Sequence, residues 1–449
     1  MSEKKYDVVI IGAGPGGYRA AERAGASGKK TLVIERDKSL GGVCLNRGCI
    51  PTKALLNSAK AFHSARNSQQ LGVVCSGVEY DLTKAMEWKA KTVSALTKGV
   101  AYQMRRHNVD VITGSAKIVG RNIVSAGNEE YSAENIIIAS GSSPVRLSIP
   151  GTDQPHVLTS DELLDIDRLP KDLTIIGGGV IGIEFASYFS LLGIHVSVIE
   201  FLPEILSNFD NDIAAAVRSS LKECSIITSA KVVSIGKNSI NFVKDGKEES
   251  HQTDLILMAV GRKPNLENLG LETVNIDFDK SGIKVNERMQ TNISNIYAVG
   301  DVTGTSLLAH SAYRMGEVAV NSICRKKDRM RYHAIPWVVY SYPELSGVGL
   351  TEDQAKKEGR NVKVSSLQMR ANGRFLAEHG NEKGICKVIV DGDSNILLGV
   401  TLLGGINSEI IYGAAAMIEA EFRVNDIKDV IFPHPTVSEM IKDTVMELN

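Results

Sequence analysis

The chain has 449 residues, room for roughly two to four domains of ordinary size, and its 51 basic and 52 acidic residues leave a formal charge of −1. So even a balance excludes a global pull toward nucleic acid or an anionic membrane, and neither is expected as a partner. No apolar stretch approaches a membrane span, the N-terminus lacks a signal-peptide pattern, and the six cysteines fit neither a secreted disulfide framework nor a zinc site; a reducing, cytoplasmic setting without a metal is expected.

In chain order, YDVVII at 6–11 reads as a buried strand, GAGPGG at 12–17 as a turn, and the Ala-rich segment running to Gly28 as a helix. A second strand at 31–34 ends in Glu35. Strand, glycine turn, helix, strand and acid, in that order, make a dinucleotide fold. Gly12 allows the tight turn, Gly14 lets the backbone approach a pyrophosphate, Gly17 lets helix and strand pack, and Glu35 accepts ribose hydroxyls. The phosphates rest on a helix N-terminus, whose unpaired N–H groups favour negative charge.

GGVCLNRGCIPTKALL at 41–56 follows. Pro51 suits a first helical turn, so Cys49 stands at a helix N-terminus, where the helix dipole favours its thiolate. Cys44 lies in a glycine-flanked segment read as flexible, better placed to exchange with an outside thiol. Lys53, four residues after Cys49, shares its helix face. In a reducing compartment a close cysteine pair beside a nucleotide site reads as a working redox centre.

The fold recurs. LTII at 173–176 leads into GGGVIG at 177–182, a helix follows, and HVSVI at 195–199 ends in Glu200. Glu35 lies 18 residues after Gly17, and Glu200 lies 18 after Gly182. Gly177, Gly179 and Gly182 take the parts of the first three glycines. Two dinucleotides in one chain suggest a tightly held flavin and an exchanging nicotinamide, and Glu200 without a nearby arginine favours NAD over NADP. The basic run at 325–331 reads as a solvated linker, and alternating runs such as ICKVIV at 385–390 suggest an antiparallel sheet in the C-terminal part.

The cysteine segment resembles the active-disulfide motif of the flavoprotein disulfide reductases, and among them most resembles the dihydrolipoamide dehydrogenase family. The likeness extends along the chain through ASG at 139–141, GGGVIGIE at 177–184, AVGRKPN at 259–265, IYAVGDV at 296–302, LAH at 308–310 and HPTVSE at 434–439. It implies an α/β architecture with two Rossmann-like dinucleotide-binding domains, 1–146 for FAD with the redox disulfide and 147–266 for NAD. A central segment at 267–333 completes the FAD site, and 334–449 forms an α+β dimerisation domain. By the same resemblance Cys44 is the interchange thiol and Cys49 the thiol against the flavin; Glu184 partners Lys53 near the nicotinamide. Ala139, Ser140, Gly141 and Ala309 bind FAD, as does Asp301, which reads as the end of an apolar strand after Gly300, and Gly261 belongs to the nucleotide sites. His434, oriented by Glu439, is the base, supplied by the other subunit of a homodimer. The implied reaction passes electrons from protein-bound dihydrolipoyl groups through Cys44–Cys49 and FAD to NAD⁺, with lipoyl domains of 2-oxoacid dehydrogenase complexes or the glycine cleavage H protein as partners. Arg47 and residues 431–433 depart from the family's usual pattern. A glutathione-reductase-like enzyme is the nearest alternative reading, and a non-catalytic nucleotide-binding scaffold is the alternative of another class.

Overall fold

A computed structural model describes residues 4–448. The β-branched apolar runs become parallel strands with helices on their faces, as short, wholly buried strands require. Strand β1 (Lys5–Ile11) leads through the first glycine turn into helix α1 (Pro15–Ala26), and strand β2 (Thr31–Glu35) returns beside β1. The sheet runs Val109–Thr113, β2, β1, Glu129–Ile138, Ile123–Ala126, Ala116–Gly120. A late strand, Ile296–Ala298, pairs in parallel with Glu129–Ile138. The chain therefore leaves this sheet and comes back to it, which brings residues near 300 beside the first glycine turn.

Between these visits lies a second parallel sheet, ordered Cys224–Ile227, His195–Ile199, Asp172–Ile176, Leu255–Met258, Val157–Thr159. Arg262–Pro264 and Ser142–Pro144 pair antiparallel where the chain passes between the two units. The C-terminal part is a five-stranded antiparallel sheet ordered Trp337–Val339, Leu345–Gly349, Leu397–Leu403, Ile385–Asp391, Val362–Gln368.

Three segments differ from their sequence readings. The glycine-flanked stretch around Cys44 is a short helix, α2 (Gly42–Arg47), held because the Asn46 side-chain amide donates to the carbonyls of Leu40 and Gly42 at 3.1 and 2.9 Å. Asp301 stands on a tight turn (Gly300–Thr303) rather than at a strand end. The basic run is irregular but tied down: Asp328 takes the Arg314 guanidinium at 2.9 Å and the Asn321 amide at 2.7 Å, Arg331 pairs with Glu419, and Met330 is buried. Among the described residues no helix is long and apolar enough to cross a membrane.

Helix α3 (Cys49–Arg66) packs against helix α4 (Val180–Leu191) of the second unit, Leu55, Leu56 and Ala59 sharing a core with Phe185, Ala186 and Phe189. Each fully buried leucine or phenylalanine contributes about 1.5–3 kcal/mol. This contact fixes the two nucleotide-binding units relative to each other, and it sets Lys53 opposite Glu184.

Candidate active site

Both glycine turns leave their strands the same way. Gly12 and Gly177 take left-handed φ values of 97° and 104°. A Cβ on Gly17 would lie 1.9 Å from the Gly12 carbonyl oxygen, and one on Gly182 would lie 2.1 Å from that of Gly177, so only glycine fits either place. The acids repeat atom for atom. Glu35 accepts the N–H groups of Ala13 at 2.6 Å and Asp37 at 2.9 Å; Glu200 accepts those of Gly178 at 2.5 Å and Leu202 at 2.7 Å. A carboxylate offers about four acceptor positions, so each acid keeps lone pairs for ribose hydroxyls.

The second glycines differ from the other two. No protein atom lies within 4 Å of a Cβ built on Gly179, and the nearest to one on Gly14 is 3.8 Å away. Packing does not demand glycine there; the open face leaves room for a group to approach the helix N-terminus. Gly261 is likewise open on its side-chain face at φ 114°, just beyond strand Leu255–Met258. The residues present thus fit two dinucleotides.

A cavity of about 810 Å³ begins at the first turn, with Gly12, Gly14 and Glu35 in its wall, and includes Ala139, Ser140 and Gly141. Its far wall carries Cys44, Cys49, Lys53 and Glu184, and Asp301 and Ala309 close it from the returning segment. Ala309 is the first residue of helix α5 (Ala309–Ile323), which puts a second helix N-terminus at the cavity. Asp301 accepts the Ser142 hydroxyl at 2.5 Å. The Arg262 guanidinium holds that hydroxyl and the Ser142 carbonyl, both at 2.8 Å. Burial pushes the Asp301 carboxyl above its usual range, while Ser142 and Arg262 oppose the shift. Ser142 adjoins the motif at 139–141, but only the pairing of Ser142–Pro144 with Arg262–Pro264 reveals its link to Asp301.

Cys49 is the first residue of α3, and Cys44 faces it from α2; both are free thiols here. Each thiol is the largest influence on the other's ionisation, and the shifts are opposed: Cys44 is raised and Cys49 is lowered. Burial raises both, and the Lys53 cation lowers both. Cys49 is therefore the more readily ionised thiol of the two. Lys53 Nζ lies 3.0 and 2.8 Å from the two carboxylate oxygens of Glu184.

Arg47, between the cysteines, reaches away from them, pairing with Asp37 at 2.8 Å and with Asp161 of the second unit at 3.1 Å. Tyr18 of α1 and Tyr313 of α5 share a 2.5 Å hydroxyl contact, and Tyr313 lines the cavity. The Arg47–Asp161 and Tyr18–Tyr313 contacts carry no signal in the sequence, because they join residues far apart along the chain.

His434 is not in the wall of this cavity; its side chain is 82% exposed, on the surface of the C-terminal part. Nδ1 lies 3.0 Å from Glu439 Oε1, and Glu439 Oε2 accepts the Thr436 N–H at 2.8 Å. That backbone donor, then His434, holds the Glu439 carboxyl below its usual range. An imidazole with one nitrogen fixed on a carboxylate presents the other to solvent, as a base serving a different cavity would.

Two dinucleotide-binding units converging on a close cysteine pair define a nucleotide-linked disulfide oxidoreductase. The chain belongs to the pyridine nucleotide-disulphide oxidoreductase family, which it matches over residues 6–316, and residues 335–445 match that family's dimerisation domain. Within the family it is 39% identical to a dihydrolipoyl dehydrogenase of Bacillus subtilis over 98% of each chain. It is also 39% identical to one of Thermus scotoductus, over 99% of this chain and 98% of that protein. Among solved structures it matches the HOCl-induced flavoprotein disulfide reductase RclA of Escherichia coli with a TM-score of 0.88, at 30% identity over 99% of this chain and 100% of that one. The protein is an oxidoreductase of the flavoprotein type, with FAD and NAD as its cofactors.

Proposed function

We propose that this protein oxidises protein-bound dihydrolipoyl groups to lipoyl groups at the expense of NAD⁺. The observation that carries this reading is the Cys44–Cys49 pair in the cavity between two nucleotide-binding units, beside the Lys53–Glu184 ion pair. Similarity over nearly the full length to dihydrolipoyl dehydrogenases supports the choice of dithiol.

Gly12, Gly14, Gly17, Glu35, Ala139, Ser140, Gly141, Asp301 and Ala309 would hold FAD, and Gly177, Gly179, Gly182, Glu200 and Gly261 would hold NAD. FAD supplies two-electron transfer between the thiol pair and the nicotinamide. His434 of the partner subunit, steadied by Glu439, takes the proton from one dihydrolipoyl thiol. The resulting thiolate attacks Cys44 Sγ, a mixed disulfide forms, and Cys49 leaves as thiolate, stabilised by Lys53. The second dihydrolipoyl sulfur then displaces Cys44, giving the lipoyl disulfide and a dithiol. Two electrons leave that dithiol for NAD⁺ and the disulfide re-forms; the sum is dihydrolipoyl plus NAD⁺ giving lipoyl, NADH and H⁺. Lipoyl domains of 2-oxoacid dehydrogenase complexes or of the glycine cleavage system are the partners this substrate implies. Cysteine usage and the absence of a spanning helix among the described residues support a cytoplasmic setting.

The test compares NADH with lipoamide against NADPH with glutathione disulfide. A preference for the first pair is expected, and a preference for the second overturns the assignment.

A further inference from the structure

Tyr340 follows the strand Trp337–Val339 of the C-terminal sheet, yet it lines the cavity that contains Cys49. Its ring centroid lies 4.3 Å from Lys53 Nζ, and its backbone N–H donates to Glu184 Oε1 at 3.0 Å. One residue thus holds both members of the ion pair, the cation on its π face and the anion on its amide. Two residues on, the Tyr342 N–H donates to Ser187 Oγ at 3.2 Å, so segment 340–342 is bonded along α4 at positions three apart, which share a helix face. The Tyr340 hydroxyl takes no part in either contact with the pair.

The consequence falls on Cys49. The titratable groups whose charge bears on it are Cys44 from α2, Lys53 from its own helix, Glu184 from α4, Tyr313 from α5 and Tyr340. Lys53 favours the thiolate and Glu184 opposes it, so their net effect depends on where the ammonium stands. A lysine is a point charge on a flexible stem, and a carboxylate alone does not fix its position. We propose that Tyr340 is a positioning residue for the redox reaction: it pins the Lys53–Glu184 pair beside Cys49 and so keeps the cation in place when the Cys49 thiolate forms. The C-terminal part of each chain then takes part in its own redox centre as well as in dimerisation. This rests on the redox reading of the cysteine pair and is independent of which dithiol is the substrate.

The test uses the two-electron-reduced holoenzyme as wild type, Tyr340→Phe and Tyr340→Leu. The long-wavelength absorbance of a thiolate against oxidised flavin is titrated with pH, and Cys49 alkylation by iodoacetamide is followed over the same range by mass spectrometry. The alkylation does not depend on bound flavin, so it serves even if Tyr340→Leu loses FAD. Tyr340→Leu is expected to move both midpoints to higher pH by about one unit, a tenfold loss in the ionisation constant. Tyr340→Phe is expected to match wild type, because it keeps the ring and the amide. Unmoved midpoints in Tyr340→Leu, or an equal shift in Tyr340→Phe, overturn the proposal. A wild-type protein with no thiolate–flavin absorbance at any pH would instead overturn the redox reading on which it stands.

Discussion

Single residues in this protein often serve two partners at once, and the cost of losing one follows from what the other is left with. Arg47 binds Asp37, two residues past the first ribose acid, and Asp161 of the second unit, with side-chain exposures of 24–34% across the three groups. Partial exposure screens these pairs, so Arg47→Ala is expected to destabilise by about 1 kcal/mol, between the values for exposed and buried pairs. Denaturant unfolding of the holoenzyme measures this, with turnover per bound FAD close to wild type. Glu439 is similarly shared between the Thr436 N–H and His434. Its lowered pKa keeps it ionised at neutral pH, and its charge is lost only as pH falls below the usual carboxylate range. Glu439→Gln keeps a hydrogen-bonding group but removes the charge. Dihydrolipoamide turnover at neutral pH should fall by up to roughly a hundredfold with FAD content unchanged, since a base catalyst typically contributes 10²–10⁴.

At the scale of elements the strand–turn–helix repeat dominates, and its two copies can be perturbed separately. Gly182→Ala forces a methyl to within 2.1 Å of the Gly177 carbonyl, a backbone atom that cannot swing away. The expected outcome is a KM for NAD⁺ raised tenfold or more and a stability loss of roughly 1–3 kcal/mol, with the flavin spectrum retained because the first unit is untouched. Steady-state kinetics on the flavin-loaded variant check it; loss of FAD with NAD⁺ binding intact would contradict the separate roles of the two turns. This repeat was legible because every part of it has a local cause: an apolar run for the strand, a glycine where a Cβ would meet a carbonyl, an acid at the strand end. Helix α2 was not legible, because Gly41 and Gly42 signal a flexible turn and what holds those six residues helical is the side chain of Asn46. The acidity difference between the cysteines could be read from the helix start, but its main cause, the influence of each thiol on the other across the gap between two helices, could not. Tyr340 stands 287 residues from Lys53 in the chain and 156 from Glu184, and no periodicity links positions that only the packing of three units brings together.

For the whole molecule the decisive feature is a separation: the thiol pair lies in a cavity between two units, while the imidazole that the proposed reaction needs stands exposed outside that cavity on the third. A dimer joining one chain's cavity to the other chain's His434 resolves this, and a two-fold axis makes two such sites at once. The arrangement can be tested by mixing inactive variants. Cys44→Ser lacks the interchange thiol and His434→Gln lacks the base, and each alone should lose dihydrolipoamide turnover by on the order of 10³-fold or more. When equal amounts are dissociated and reassociated, half of the dimers contain one chain of each kind. In such a dimer the site with an intact Cys44 faces the intact His434 of the Cys44→Ser chain, and the other site lacks both groups. One site in four is then whole, so activity should recover to about a quarter of wild type, as random pairing in a two-fold dimer requires. If thiol and base came from the same chain, every site in every dimer would lack one of them and mixing would restore nothing. Mass spectrometry of the reassociated dimers separates that result from a failure to exchange subunits, so a mixed dimer without activity would sink the shared site.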